Sequence, residues 1–478
     1  MLNLSSRVGT ARLGVSLSLF LILAGCGGSS TRGDGGAAAG TGGGGGTGGT
    51  GGTGGTAGGD AGSSDAGTCA VGDATGTLSV KIVGAPADVA VVLVALATAP
   101  DPITADIDLT ASAGEYSVTA FRAADSTSPF RTAYEPSIDV ATPCVRAGQT
   151  TIVTVTYATI ATSGKLWVGN SGAGKETLGF GPASVAATGA HAADVAAGTK
   201  GSNGFTFDAA GNLWVLGATT ADPPLARYRA STLGTSGAKT PDVTIDSPSF
   251  GSGIPGATVV AFDQAGNLWV SVEAANKVVR FTPEQLSVTG TPTASAEISG
   301  INGPSGIAFN AAGSMFVSAS SDAQIARFDK DRVYGSGTGA ILANLMIAAS
   351  TPGPVIGPLT SPTGLAFDTS GNLWVNFDGT LAKLTPDDFS GTGTKTVTPA
   401  IQIRTDVLSL PVGIAFDSEG ALWLAHSAGK LARLDPSQLT ASGAVAPAAV
   451  ITSSDLAYAG WFAIYPAPTG TGLFHALP

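Results

Sequence analysis

The feature that most constrains this sequence is a short hairpin pattern that recurs along its second half. In Pro362–Val375, apolar and small residues alternate, turn at Asp368–Gly371 and then alternate again. The aspartate can accept a backbone hydrogen bond within the turn, and the glycine supplies the positive φ that a type I turn with a G1 bulge requires. The pattern predicts five equivalent β-hairpins. Each has one aromatic residue before the turn and a second aromatic seven positions later: Phe207 and Trp214, Phe262 and Trp269, Phe309 and Phe316, Phe367 and Trp374, Phe416 and Trp423.

The spacing of the hairpins predicts how they assemble. Their second aromatic recurs every 47 to 58 residues, a period that accommodates four strands and is typical of β-propeller blades. Lys165–Val168 has the pattern of a second strand without a first, and Gly460–Tyr465 that of a first strand without a second. We therefore predict that residues 460–465 pair with residues 165–169, so that six blades close into a ring over residues 159–478. Such closure removes exposed sheet edges.

The repeated phrase carries a family resemblance. PTGLAFDTSGNLWV at Pro362–Val375 and its copies resemble NHL-repeat propellers and the related SMP-30/gluconolactonase-like and streptogramin-lyase-like groups. The resemblance implies an all-β chain with a six-bladed β-propeller. It leaves the activity open, because these groups include lactonases, lyases and binding scaffolds.

The first 25 residues have the pattern of a signal peptide. Arg7 and Arg12 accompany a short apolar segment, Leu13–Leu23, which is too short for a membrane span. The following Leu23–Cys26 resembles the lipobox of bacterial lipoproteins, which implies acylation of Cys26 and membrane attachment through lipid. An ordinary signal peptide with a chance cysteine is the alternative. Gly27 after the cysteine favours the outer membrane by the enterobacterial sorting pattern, so we expect a protein of the bacterial cell envelope.

Residues 26–68 are almost entirely small and polar, so they offer no apolar surface to offset the entropy of ordering, and we predict a disordered linker.

The chain has 3 cysteines. With Cys26 assigned to lipid, Cys69 and Cys144 remain, and in an oxidising envelope they are expected to form a disulfide. Two free thiols are the alternative.

Residues 69–158 contain short alternating segments separated by Gly, Pro and Asp turns, including Thr77–Ile82, Gly114–Ala120 and Gln149–Tyr157. Strands of this length predict a small β-sandwich. The segments resemble carboxypeptidase-regulatory-like and PEGA-like modules, which implies a spacer or adhesion role.

Candidate site residues follow the predicted second strands, where loops build the upper face of a propeller. SMP-30-like lactonases hold a divalent cation there, and Glu273, Asn376 and Asn170 could supply oxygen ligands for Ca²⁺ or a similar ion. His426 is a candidate general base, and with Glu273 it resembles the His and metal-binding Glu of streptogramin-lyase-like enzymes. Other polar residues occupy the same loops: Asn203, Asn276, Ser305, Asp322, Thr363 and Asp378. Solvated loop residues without chemistry are the alternative for all of them.

The turn aspartates are expected to be structural caps on the opposite face. The net charge of −11 argues against nucleic acid as a partner.

Three functions remain open. The leading hypothesis is a monomeric, lipid-anchored scaffold, not an enzyme, that binds protein, peptide or glycan. The second is a metal-dependent lactonase or lyase acting at the channel mouth, and the third is a purely structural envelope protein.

Overall fold

The computed structural model describes residues 69–86, 92–96, 99–170, 174–201, 203–217, 219, 221–251, 257–335, 341–350, 359–405, 411–426 and 428–468. The predicted signal peptide, Cys26 and the predicted linker lie outside these residues. The described chain is almost entirely β, which confirms the predicted fold class. None of its helices has the length and hydropathy needed to cross a membrane. Helical turns are short: Pro182–Val185, Ala230–Thr232, Pro248–Phe250, Glu273–Ala275, Ser320–Asp322, Lys330–Val333 and Pro436–Leu439.

The first part of the described chain forms a small sandwich of two sheets. Leu78 and Val153 of the larger sheet pack on Val92 and Val118 of the smaller one in a single buried core. A disulfide joins Cys69 to Cys144, with the two Cα atoms 5.7 Å apart. The larger sheet contains, in spatial order, Ala123–Ala124, Ala133–Ile138, Thr150–Thr159, Gly72–Val83, Ile107–Glu115 and Cys144–Val145. The smaller sheet contains Ala99–Ile103, Val92–Leu96 and Ser117–Ala120.

The rest of the described chain forms six antiparallel blades arranged as a propeller. Strands one to four of blade 1 are Phe462–Tyr465, Lys165–Gly169, Thr177–Phe180 and Val195–Gly198; of blade 2, Asn203–Phe207, Leu213–Leu216, Leu225–Tyr228 and Val243–Ile245; of blade 3, Ala257–Phe262, Leu268–Val272, Lys277–Phe281 and Ala296–Ser299. Those of blade 4 are Pro304–Phe309, Met315–Ala319, Gln324–Phe328 and Leu345–Ala349; of blade 5, Pro362–Phe367, Leu373–Phe377, Thr380–Leu384 and Ile401–Arg404; of blade 6, Pro411–Phe416, Leu422–His426, Lys430–Leu434 and Ala449–Thr452.

Two pairings join the ends of the ring. Inside, the first strand of blade 1 comes from the end of the chain and pairs with Lys165–Gly169, so that Lys165 lies opposite Tyr465. Outside, the short strand Gly189–Ala190 pairs in parallel with the outer strand of blade 6. The same outer pairing joins other neighbouring blades through Gly237–Ala238, Gly393–Val397 and Gly443–Ala444. These added strands cover edges that would otherwise expose unpaired backbone groups.

Neighbouring blades pack through the repeated aromatic residues. The second-strand aromatic of one blade meets the first-strand phenylalanine of the next, with ring centroids 6.3 Å apart for Trp214 and Phe262 and 5.1 Å for Phe316 and Phe367. Small residues allow the first strands to approach one another. A Cβ atom on Gly306 would lie 2.1 Å from the carbonyl oxygen of Thr363 in the next blade. Glycine is therefore required at this contact.

The turn aspartates also hold these aromatic residues. Asp263 is fully buried; its Oδ1 accepts hydrogen bonds from the backbone N–H groups of Ala265 and Asn267, and its Oδ2 accepts one from the Trp269 indole at 2.9 Å. Asp208, Asp368 and Asp417 repeat the indole contact. In blade 4 the tryptophan is replaced by Phe316, which has no N–H group, and the aspartate is replaced by Asn310. The turn residue is thus a carboxylate in the blades whose second strand has an indole N–H to donate, and an amide in the blade that has none.

The sandwich packs on the lower face of the propeller, the face formed by the turns between first and second strands. Arg122 of the sandwich donates a hydrogen bond to the carbonyl oxygen of Ala209 in a blade 2 turn. In blade 6, the backbone N–H and hydroxyl of Ser418 both donate to the carbonyl oxygen of Pro129. The neighbouring Phe130 is buried against Trp423, with ring centroids 6.1 Å apart. The two parts therefore share a packed interface.

Candidate functional site

The upper face lies at the opposite ends of the same strands, where second strands end and first strands begin. Asn170, Glu273, Asn376 and His426 come from the second-strand ends of blades 1, 3, 5 and 6, respectively. The candidate metal ligands are thus distributed over alternate blades. Among the described residues, no group of three or more His, Cys, Asp or Glu side chains could hold a metal ion.

Asn170 holds the loop that leads to the closing strand. Its buried amide nitrogen donates to the carbonyl oxygens of Lys175 and Asp455, at 2.8 and 2.9 Å. Its Oδ1 accepts from the backbone N–H groups of Ala457 and Tyr458, at 2.9 and 3.1 Å. Because Oδ1 already accepts two hydrogen bonds, both of its lone pairs are used and none remains for a cation. The Asn170 side chain joins the two ends of the ring.

Asn376 belongs to a series of buried polar contacts that joins blades 3, 4 and 5. Its Nδ2 donates to Thr363 Oγ1 at 2.7 Å within blade 5. Ser318 of blade 4 donates its hydroxyl to the carbonyl oxygen of Thr363 at 2.8 Å. Ser271 of blade 3 does the same to the carbonyl oxygen of Ser305 in blade 4, at 3.0 Å. Ser271 and Ser318 therefore bind the first strand of the next blade, and Asn376 holds one of those first strands within its own blade. Ser305 and Thr363, predicted as candidate site residues in the loops, therefore accept hydrogen bonds that hold neighbouring blades together.

Glu273 lies at the surface, at the start of the short helical turn Glu273–Ala275. The turn ends at Asn276, which has a φ of 50° and whose Oδ1 accepts a hydrogen bond from the backbone of Gly303 in blade 4. Blade 4 repeats this geometry with the exposed turn Ser320–Asp322. Both turns therefore present exposed side chains, and residues 302–303 hold both of them. Gly303 donates its backbone N–H to Asn276, and the backbone N–H groups of Ser320 and Ser321 donate to the carbonyl oxygens of Gly303 and Asn302.

His426 ends the second strand of blade 6 and is only 7% exposed. Its Nδ1 accepts a hydrogen bond from the backbone N–H of Ala428 at 2.9 Å, which requires that nitrogen to be unprotonated. Burial, together with the charge of Lys430, lowers the pKa of His426 below its ordinary value. The structure therefore favours the neutral imidazole, and one ring nitrogen holds the loop that follows His426.

The axis of the ring contains a feature that the sequence analysis did not predict. A cavity of about 130 Å³ is lined by the first strands of all six blades and by Ala467 and Pro468. Its lining side chains are apolar apart from Thr206, and no described lining residue is charged. We call it the axial cavity. The apolar position that repeats in each first strand could have indicated such a lining, because these strands lie innermost in a propeller.

Comparisons with known proteins give distant matches to solved structures. No protein-family model and no curated protein sequence matches the chain. Virginiamycin B lyase from Staphylococcus aureus is 17% identical, with a TM-score of 0.33 over 50% of this chain and 68% of the lyase. A protein described as a gluconolactonase is 18% identical, with a TM-score of 0.34 over 56% and 80%. The extracellular domain of a one-component system from B. thetaiotaomicron is 19% identical, with a TM-score of 0.37 over 58% and 34%.

Proposed function

We propose that this protein is a lipid-anchored scaffold of the bacterial cell envelope that binds protein, peptide or glycan on the upper face of its propeller. The observation that carries the proposal is the position of the sandwich. It packs on the lower-face turns of blades 2 and 6 through Arg122 and Pro129, so the opposite face is the broad surface left for a partner.

The direction of the chain supports the same arrangement. The described residues begin at Cys69, which is joined by its disulfide to the sandwich. In the proposed arrangement, the acylated Cys26 and the linker lead to the sandwich side, and the upper face points away from the membrane. Exposed turns such as Glu273–Ala275 and Ser320–Asp322 then contact the partner. Hydrogen bonds to residues 302–303 hold both turns, so little ordering entropy is lost on binding.

A matched pair of variants tests the binding face. The full-length protein, solubilised in detergent, is screened on an array of defined glycans and short peptides. Ser321→Arg places a bulky cation in an exposed upper-face turn, and Ser370→Arg places the same group in an exposed lower-face turn. We expect binding to fall at least tenfold in the first variant and to stay within twofold in the second.

Two results would count against a scaffold. One is a set of hits that Ser321→Arg leaves unchanged, or the absence of hits altogether. The other is a stoichiometric divalent metal in the purified protein together with turnover of a lactone, which would favour the enzymatic alternative.

Anchoring is tested separately by metabolic labelling with an alkyne fatty acid. The label should disappear in Cys26→Ala, and its persistence would refute acylation at that residue.

A further inference from the structure

We propose that the axial cavity is a binding site for a small uncharged ring molecule of about the size of benzene or phenol. This site is separate from the upper-face turns. The lining residues of each first strand include an apolar residue at one equivalent position: Phe205, Val260, Ile307, Leu365, Ile414 and Phe462. A cavity of about 130 Å³ is close to the ~150 Å³ of an engineered apolar cavity that admits benzene.

The charge of the ligand follows from the lining. No charged side chain borders the axial cavity among the described residues, and Thr206 is the polar one. An ion entering this space would lose its hydration without gaining an opposite charge, at a large cost in free energy. The site should therefore select neutral molecules over anions or cations of the same shape.

The backbone adds hydrogen-bonding capacity. Each first strand has a partner on one side only, because it forms the inner edge of its blade. In blade 5, Asp368 donates its N–H to Asn372 and Ala366 lies opposite Trp374. Because hydrogen-bonded pairs alternate along antiparallel strands, the backbone groups of Leu365 and Phe367 point to the other side, towards the axis. A ligand with one hydroxyl group, such as phenol, can use these groups.

Trp461 narrows the upper end of the cavity. The equivalent position in four other blades is glycine: Gly204, Gly306, Gly364 and Gly413. The Trp461 side chain packs against the buried cluster of blades 1 and 2 and also against that of blades 3 and 4, so it reaches across the axis. It is half-buried. This position makes Trp461 a barrier between the axial cavity and the upper face.

A titration with three probes tests the site. Benzene, phenol and benzoate have similar rings and differ in polarity and charge. Ligand-observed NMR of the full-length protein should show saturable binding of benzene and phenol, with benzoate at least tenfold weaker. The double variant Ala366→Leu, Ala415→Leu fills the cavity from two half-buried wall positions and should weaken phenol at least tenfold. Ala158→Leu makes the same change at an exposed strand position in the sandwich and should have no effect.

Further variants keep the test decisive. If the double variant does not fold, Ala366→Val and Ala415→Val add less volume and give the same comparison. Trp461→Ala should raise the dissociation rate of phenol several-fold. The proposal is overturned if none of the probes saturates, if benzoate binds as well as phenol, or if filling the cavity changes nothing. It is also overturned if phenol binds only after residues 469–478 are removed, since the chain itself would then be the occupant.

Discussion

The contact between turn aspartate and tryptophan gives a quantitative prediction. In blade 3, Asp263 and Trp269 are both fully buried, and the indole N–H donates to Oδ2 at 2.9 Å. The same oxygen accepts from the Asn267 side chain at 2.8 Å. The next blade replaces this pair with Asn310 and Phe316. The perturbation is therefore a double-mutant cycle that converts the blade 3 pair into the blade 4 pair.

The magnitudes follow from the contacts. Trp269→Phe removes one hydrogen bond to a charged group, about 1.5–3 kcal/mol, and leaves a smaller ring in a close-packed site, about 1 kcal/mol more. Asp263→Asn keeps an oxygen for the backbone donors but turns an N–H group towards the indole, at a cost of about 2 kcal/mol. The double variant removes donor and charge together. It should be less destabilised than the sum of the two single variants by about 2 kcal/mol.

The assay is guanidinium unfolding followed by circular dichroism, because the variants alter tryptophan fluorescence. All four proteins must share one m-value for the comparison to hold. A control cycle pairs Asp263→Asn with Trp423→Phe, which belongs to another blade, and should be additive within about 0.5 kcal/mol. If the Asp263 and Trp269 changes are equally additive, the indole contact contributes no coupling and the explanation for the paired residues of the repeat is wrong.

Three further measurements test other parts of the fold. Gly306→Ala should lower the free energy of unfolding by about 1–3 kcal/mol because its added Cβ atom would overpack the contact. In Gly290→Ala the nearest atom would lie 4.0 Å from the added Cβ atom, so the free energy of unfolding should change by no more than about 0.5 kcal/mol. Equal effects of the two changes in thermal unfolding would refute the close approach at Gly306. Cys144→Ser opens a disulfide loop with a sequence separation of 75 and should cost about 4 kcal/mol, and an unchanged denaturation midpoint would contradict this. NMR titration should show that the pKa of His426 is lowered and that Lys430→Met raises it. Because the fold favours the neutral ring, the contribution of His426 to stability is present at neutral pH and is lost as the pH falls through the pKa of the folded state. A His426 pKa at or above the ordinary value would exclude burial and the Lys430 charge as its causes.

The fold was predictable from the sequence where the same local pattern repeats. Hairpins such as Pro362–Val375 contain alternation, turn chemistry and aromatic spacing within one short segment, so each copy predicts its own strands. The outer parallel strands were missed because segments such as Gly189–Ala190 are too short for any periodicity. Their pairing depends on a neighbouring blade, and propensity within the loop does not encode it.

The candidate site was less predictable because its side chains serve long-range contacts. The partners of Asn170 include Asp455, Ala457 and Tyr458, which come from the far end of the chain, so no local pattern reveals them. The apolar position that repeats in the first strands was a local pattern that could have indicated the axial cavity. Its size depends on Trp461 from a different part of the sequence, and on how closely glycine and alanine allow the six strands to converge.

Closing a ring of blades explains why polar residues at the upper face are an unreliable guide to chemistry. The inner strands pair with another strand of their blade on one side only and must also be held to the next blade. Buried Ser271 and Ser318 meet this second requirement by donating to first-strand carbonyl oxygens of the next blade, and Asn376 holds Thr363 within blade 5. Each hydrogen bond gives a net gain of about 1 kcal/mol. A change at any of these positions would alter stability before it altered recognition. Specificity for a partner should therefore reside in exposed turns such as Glu273–Ala275, whose side chains can vary while the buried contacts beneath them stay the same.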